Sequence, residues 1–337
     1  MRRSLLLVVV LTCLVLAAAS AASARRDGTT LNLVAYSTPK TVMGKLISMF
    51  QDTPAGQGVS FTQSYGPSGT QAQAIVAGQP ADIAFLSTGE DVNTLVKAGL
   101  VAGNWAAAPD HGLAADSVVV FVVRNGNPKH IKHWSDLLKP GVQIVTPNPF
   151  SSGSAKWNVL AAYGAMRRLG KTDAQATAFV QKLFQHVVSQ DSSGRNATNT
   201  FLAGKGDVLL TYESEAYAAR QAGQDVRFVI PRQTMVIQLP IVPLKSSPNL
   251  AKAKQFIEFV QSPAAQDVFG QYGFRPLDKK ALQKYFGTQL SVKPGQFTIA
   301  DKMFGGWPKV DKTWFDPTHG RMVGIEQKVG GPTGPTQ

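Results

Sequence analysis

The sequence has almost no cysteine. Cys13 is the single one among 337 residues. Beyond it there is no thiol, which excludes disulfides and cysteine-ligated metal sites from the rest of the chain. A second long apolar run is also missing: after the N-terminal stretch nothing approaches the ~20 apolar residues that a membrane-crossing helix needs. The histidines at 111, 130, 133, 186 and 319 show no H-E-x-x-H spacing. His130 and His133 flank a loop-to-helix entry and are read as surface or capping residues. No P-loop and no G-x-S-x-G elbow is present. Basic residues outnumber acidic ones by 34 to 21, yet they never cluster beyond pairs such as Arg167-Arg168 and Lys279-Lys280. That spread argues against nucleic acid as a partner and leaves a diffuse positive field that gathers small anions. One enzyme-like pattern occurs, Ser37-Thr38-Pro39-Lys40, which fits the S-x-x-K of penicillin-recognising enzymes. Its S-D-N and K-T-G companions are absent. Pro39 also falls inside the turn that would bring Ser37 and Lys40 together. The chain is therefore read as a binding protein rather than an enzyme, with no cofactor and no metal.

What is present begins with an address. Arg2 and Arg3 precede an apolar stretch over residues 5–19, and Ala22-Ser23-Ala24 is a small-x-small cleavage site. This is the layout of a secretory signal peptide over residues 1–24, cut after Ala24 to leave Arg25 at the N-terminus. A retained anchor and twin-arginine export are competing readings. Lipidation at Cys13 would need a small residue before it, and Thr12 fits poorly. The remaining chain of about 310 residues is enough for one large or two ordinary domains.

Short apolar strands alternate with amphipathic helices, the pattern of α/β layers with mostly parallel strands. Strands are predicted at residues 31–36, 59–64, 82–86, 117–124, 142–146, 207–212, 226–231 and 234–239. A helix carries the apolar face Val42, Met43, Leu46, Ile47 and Phe50, a helical period. Further helices are predicted at 71–77, 92–98, 155–169, 178–188, 198–203, 250–260 and 264–272. The whole is expected to form two lobes, residues 27–117 with 235–320 and residues 118–234, joined by two crossing segments. A Gly-, Pro- and Thr-rich tail over 321–337 is expected to fray.

Three stretches share one layout: a strand ends, small polar residues turn, and a helix starts. They are Ser64-Tyr65-Gly66-Pro67-Ser68-Gly69, then Thr146-Pro147-Asn148-Pro149-Phe150-Ser151-Ser152-Gly153-Ser154, and Asp191-Ser192-Ser193-Gly194-Arg195-Asn196. A helix start leaves backbone N–H groups unpaired and partly positive. Glycine lets an anion approach them, and serine adds a hydroxyl donor, which together make an oxyanion cradle. Ordinary N-capping explains any one such stretch without a ligand. Three of them at strand ends point to a site, because ligands in open α/β sheets sit at the carboxyl ends of strands.

These same segments resemble the periplasmic sulfate-binding proteins of ABC importers. The likeness runs through Asn125-Gly126-Asn127-Pro128-Lys129, His133-Trp134-Ser135-Asp136-Leu137 and Lys139-Pro140-Gly141-Val142. It continues in Thr146-Pro147-Asn148-Pro149, Ser151-Ser152-Gly153, Trp157-Asn158, Thr198-Asn199-Thr200-Phe201, Gly206-Asp207-Val208-Leu209 and Phe304-Gly305-Gly306-Trp307. The resemblance implies a two-lobed periplasmic binding protein fold of the second type, with sulfate held in the interlobe cleft. It also implies a monomer that delivers its anion to a membrane permease. By position it carries ligand roles to Ser68, Ser152, Gly153 and Gly194. Ser154 stands where the family often has glycine, Tyr212 at its tryptophan position, and Ser37 near its aspartate after the first strand. Serines with a tyrosine also resemble the donor set of molybdate-binding proteins, so thiosulfate, molybdate and tungstate stay open. Arg195 is expected just outside the pocket. Glu213, Glu215 and Asp191 are expected to turn away from it, since an inward acceptor would favour phosphate.

Overall fold

The computed structural model describes residues 28–287 and 295–335. The leader, its cleavage site and Cys13 lie outside the described residues. Strand β1 (Thr30–Tyr36) is almost wholly buried beyond its first residues. It pairs in parallel with β2 (Ser60–Gly66) and β3 (Ile83–Phe85). Helix α1 (Lys40–Gln51) returns the chain between the first two, burying the predicted Val42, Met43, Leu46, Ile47 and Phe50. Helices α2 (Ser68–Val76) and α3 (Gly89–Lys97) complete this parallel group.

Two long strands lead out of it. β4 (Leu113–Arg124) and β9 (Thr234–Pro243) run antiparallel, with Ser117 opposite Ile237 and Val118 opposite Val236. Beyond Val118, β4 pairs instead with β7 (Val208–Tyr212) and β8 (Val226–Val229). β7 opens the second parallel group, which continues through β5 (Ile144–Pro147) to β6 (Val187–Asp191). The path β2-β1-β3-β9-β4-β7-β5-β6 is thus two parallel groups held on one antiparallel pair.

Helix α4 (Gly153–Arg168) is buried on every side over its first fourteen residues, so it behaves as a core helix rather than an amphipathic one. Two of its side chains donate hydrogen bonds across the core. Asn158 Nδ2 donates to Thr146 Oγ1 and to the Leu210 carbonyl, and the Trp157 indole donates to the Ser87 carbonyl at 2.8 Å.

The structure corrects three expectations. The helix expected at 178–188 is α5 (Asp173–Phe184), and the Val187-Val188 pair belongs to β6. His186 N–H bonds back to Leu183, which closes the helix just before these β-branched residues. The sequence also conceals α7 (Glu213–Gln221) behind its charged composition. It follows α6 (Gly194–Leu202) and β7 directly. Finally, residues 235–320 do not all rejoin the first group. Helices α8 (Leu250–Val260) and α9 (Pro263–Gln271) pack on α1. After α10 (Lys279–Phe286), however, the chain crosses to β10 (Gln296–Phe297), which pairs with the start of β9. Phe297 and Phe304 lie against Gly164 of α4, so closely that a Cβ there would clash with both rings.

The tail does not fray at residue 321. Helix α11 (Arg321–Val329) docks on α5 with Met322, Ile325 and Glu326 buried. Both terminal nitrogens of Arg321 reach Asp173 at 2.8 and 2.9 Å. The glycine-rich composition begins only at Gly330, which ends the helix in the left-handed conformation at φ 73°. Gly334 then lends its carbonyl to Asn148 Nδ2 at 2.9 Å. We predict that Met322→Ala lowers stability by about 2–5 kcal/mol, the cost of a cavity at a fully buried methionine. Urea unfolding of the two proteins measures it, and equal midpoints would mean that this helix is not part of the core.

Candidate oxyanion site

Five strand-to-helix junctions meet at one point. They contribute Tyr36, Ser37 and Thr38 after β1, Pro67 and Ser68 after β2, and Ser87 after β3. The second group supplies Ser152, Gly153 and Ser154 after β5, and Ser193 and Gly194 after β6. All five are carboxyl ends of parallel strands, and each junction feeds a helix whose first N–H groups have no intrahelical acceptor. The three turns singled out in the sequence are therefore brought together, with Ser37 beside them. They close tightly rather than flanking an open cleft: the space between them is ≈ 10 Å³, room for about one water.

Capping does not account for all of these serines. Ser193 caps α6 by accepting from Asn196 N–H at 3.2 Å. Ser152 stands at the same position before α4, and its side chain makes no cap bond. Pro67, before α2, makes none either. Nearby, Thr38 Oγ1 and the Tyr36 hydroxyl are buried without a hydrogen-bond partner. A fully buried polar atom left unpaired costs about 1–3 kcal/mol, so these groups are set for something other than fold stability.

Two glycines are required by proximity. A Cβ on Gly153 would collide with Ser87 Oγ and stand 2.9 Å from Thr88 Cγ2. One on Gly194 would come within 3.1 Å of both side-chain atoms of Ser154. At Gly153 the turns of the two parallel groups thus touch through backbone that only glycine leaves open, while Gly194 packs on Ser154 of its own group.

The structure revises two assigned roles. Ser68 lies in the site, but its hydroxyl proton goes to Asp91 Oδ2 at 2.6 Å while its oxygen accepts from Ser87 N–H at 2.8 Å. Tyr212 is fully buried and stands one layer behind: its phenol meets Ser87 Oγ at 2.6 Å and lies next to Ser154. Burial pushes that phenol's pKa well up, so it remains a neutral hydroxyl. Ser87, not Tyr212, reaches the cavity. Sequence reading missed Ser87 although the signal is there. Ser87-Thr88-Gly89 follows a strand and precedes a helix, the same layout as the three stretches chosen.

Nearby carboxylates are occupied elsewhere. Glu213 pairs with Arg275 at 2.7 Å, and Glu215 with Arg195 at 2.7 Å. Asp191 accepts from Thr200 and Ser189. Arg195 also donates to the Thr38 carbonyl at 3.2 Å, which places it against the first turn. Lys156 reaches across from α4 to Glu90 of α3. In the enzyme-like motif, Pro39 begins α1 and Lys40 is exposed, with no hydrogen bond to Ser37 among the described residues.

With this geometry in view, comparison with known proteins is informative. The chain matches the bacterial extracellular solute-binding protein family over residues 31–275. A sulfate-binding protein of Synechococcus elongatus is 36% identical over 308 residues, 87% of each chain. One from Salmonella typhimurium is 37% identical over 80% of this chain and 84% of its own. Among solved structures, the sulfate-binding protein SubI from Mycobacterium tuberculosis superposes with a TM-score of 0.81 at 42% identity, covering 86% of this chain and all of that one.

Asp91 allows a direct test of the site's electrostatics. Burial raises its pKa to about 6, with Lys156 pulling down and Glu90 pushing up. The unfolded carboxyl ionises near its ordinary 3.8, so this group costs stability once it is charged. Its penalty is absent below about pH 4, grows as the pH rises, and is complete above about pH 6. Asp91→Asn keeps an acceptor for Ser68 but removes the titration. The stability advantage of the variant over the wild type is predicted to rise between pH 4 and 6 and then level off. Denaturant titrations at several pH values measure it, and a flat difference would show that Asp91 is not buried as described.

Proposed function

Because the chain belongs to the bacterial extracellular solute-binding protein family, we propose that it captures sulfate outside the cytoplasm and hands it to the membrane permease of an ABC importer. The observation that carries this reading is the meeting of five strand-end turns in which Ser152 heads a helix without capping it. In this reading the leader is removed after Ala24 and the mature protein is a monomer in the periplasm. Its two groups of strands part and close about β4 and β9. A sulfate ion is larger than the present space, so the turns of one group swing away to admit it and return around it.

The physical case is one of replacement. Leaving a divalent anion unpaired in a protein interior costs tens of kcal/mol. Hydrogen bonds to a charged group return roughly 1.5–3 kcal/mol net each. About six or seven preplaced donors replace the water shell of the ion, which is what makes its burial possible. Backbone N–H groups at Ser37, Gly153, Ser154 and Gly194 and the hydroxyls of Ser68, Ser87 and Ser152 supply that number. For Ser68 to take part, its proton must turn from Asp91 to the anion. The partial positive ends of the helices add to the field without any bound cation.

Such a set also selects. Phosphate near neutral pH keeps a proton and needs an acceptor, and facing donors alone it loses about 1–3 kcal/mol or more. Glu213 pairs with Arg275 and Glu215 Oε1 with Arg195, and neither carboxylate lines the space. Sulfate has no proton to place. Thiosulfate and the larger molybdate and tungstate share that property and are the competing ligands.

Thermal-shift titration of the mature protein with sulfate, thiosulfate, molybdate and phosphate tests the reading, because a tight ligand raises Tm by mass action. Sulfate is expected to give the largest rise and phosphate the smallest. Phosphate binding as tightly as sulfate in calorimetry would overturn the all-donor pocket. Ser152→Ala is expected to weaken sulfate binding by about 1–3 kcal/mol. An unchanged affinity would move the site elsewhere.

A further inference from the structure

A second pocket lies away from these turns, between α4, α5 and the segment that leads into α11. Its volume is ≈ 310 Å³, and Arg167, Lys302, Lys309 and Arg321 line it together with a single carboxylate, Asp173. That carboxylate is fully engaged. It takes both nitrogens of Arg321 and the Tyr163 hydroxyl at 2.7 Å, and these bonds hold its pKa below the ordinary value.

The remaining cations have nothing comparable. Arg167 donates one nitrogen to the Tyr163 hydroxyl and stays 3.9 Å from Asp173, and its Nε is buried with no hydrogen-bond partner. Lys302 and Lys309 are exposed and make no ion pair or hydrogen bond among the described residues. The acids nearest in sequence face elsewhere. Asp301 turns to Arg168 and to the Thr298 N–H, and Asp311 to Glu90. Four positive charges thus share one negative charge around a wet, shaped hollow. Arg321 is fixed in place by Asp173 and by the face of Trp314 at 5.1 Å.

We propose that this pocket binds a small anion carrying two or more charged oxyanion groups, of the size of a condensed phosphate or a polycarboxylate. A single exposed lysine attracts an anion only weakly, because water and salt screen it. A ligand large enough to meet Lys302, Lys309 and Arg167 together gathers several such contacts within one molecule. A monoanion does not. The hollow is also far roomier than the space at the serine turns, which suits a ligand larger than sulfate.

Calorimetry with inorganic pyrophosphate tests this, run on protein already saturated with sulfate so that the serine turns are filled. One further mole of pyrophosphate is expected to bind, and citrate replaces it in a second arm that separates phosphate from carboxylate chemistry. The Lys302→Gln/Lys309→Gln double variant is expected to weaken that binding at least tenfold while leaving sulfate affinity and Tm unchanged. Raising salt is expected to weaken pyrophosphate binding steeply. No heat with either polyanion, or equal binding by the double variant, overturns the proposal. Failure of sulfate to bind, with pyrophosphate still dependent on the two lysines, would instead overturn only the reading of the serine turns.

Discussion

The antiparallel pairing of β4 with β9 is the constraint on which the rest of the molecule depends. Each parallel group alone has a row of strand ends and helix starts at one edge, and a row is not a pocket. Pairing residues 113–118 with 236–240 fixes the second group relative to the first. At Val119 the same strand passes to β7, opposite Tyr212, the residue that abuts Ser87 of the first group. The ladder that joins the groups therefore also sets the distance between their turns. It explains why Gly153 has no room for a side chain against Ser87 and Thr88 of the other group. Two edges brought to contact by a fixed register leave no slack for a Cβ.

That contact decides the electrostatics. The region holds several carboxylates, none of which lines the cavity, and each has a partner. Arg275 holds Glu213, Arg195 holds Glu215, Lys156 holds Glu90, and Ser68 occupies Asp91. Burial alone would push acids here toward their neutral forms, as it does for Asp91. Glu90 resists burial and stays low because of the Lys156 charge and its hydrogen bonds. The cavity wall is thereby left to neutral donors, and charge is kept in the layer behind. In the proposed reading, a proton-bearing anion finds no carboxylate at the wall, while a fully ionised one exchanges water for fixed N–H and O–H groups.

Much of this was legible in the sequence, for definite reasons. Period-2 and helical patterning place the strands and α1 because burial on one face dictates them. Ser-Gly turns after strands locate Ser68, Ser152, Gly153, Ser154, Ser193 and Gly194 among the converging residues, since that chemistry needs glycine and small hydroxyls at helix starts. What could not be read was which serine is spent on capping. Ser152 and Ser193 precede helices in the same way, yet only the second bonds its helix. That difference lies in side-chain direction, which depends on neighbours from other strands. Ser87 went unnoticed because Leu86-Ser87-Thr88-Gly89 is shorter than the other turns. α7 was hidden because Glu213, Glu215 and Arg220 read as solvent-exposed, whereas both glutamates are buried through arginine partners. The tail was misjudged because glycines and prolines after 330 were averaged with the helix before them.

The tail's true position bears on how one chain can treat two kinds of anion differently. At the serine turns the donors are buried and neutral, and their geometry is set by backbone. Affinity there depends on fit and protonation and little on salt. At the hollow beside α11 the groups are full charges on long side chains, two of them exposed lysines. Attraction there scales with ligand charge and falls with ionic strength. The two places are linked through structure: α11 docks on α5 by way of Arg321 and Asp173, and a few residues later Gly334 accepts from Asn148 in the turn that leads to Ser152. Neutralising the cations around Arg321 would relieve their mutual repulsion and favour the docked helix. That docked helix in turn keeps Gly334 within reach of Asn148. The charged hollow and the serine turns are thus joined twice, by the C-terminal segment and by α4, which starts at Gly153 in the turns and ends at Arg167 and Arg168 beside the hollow.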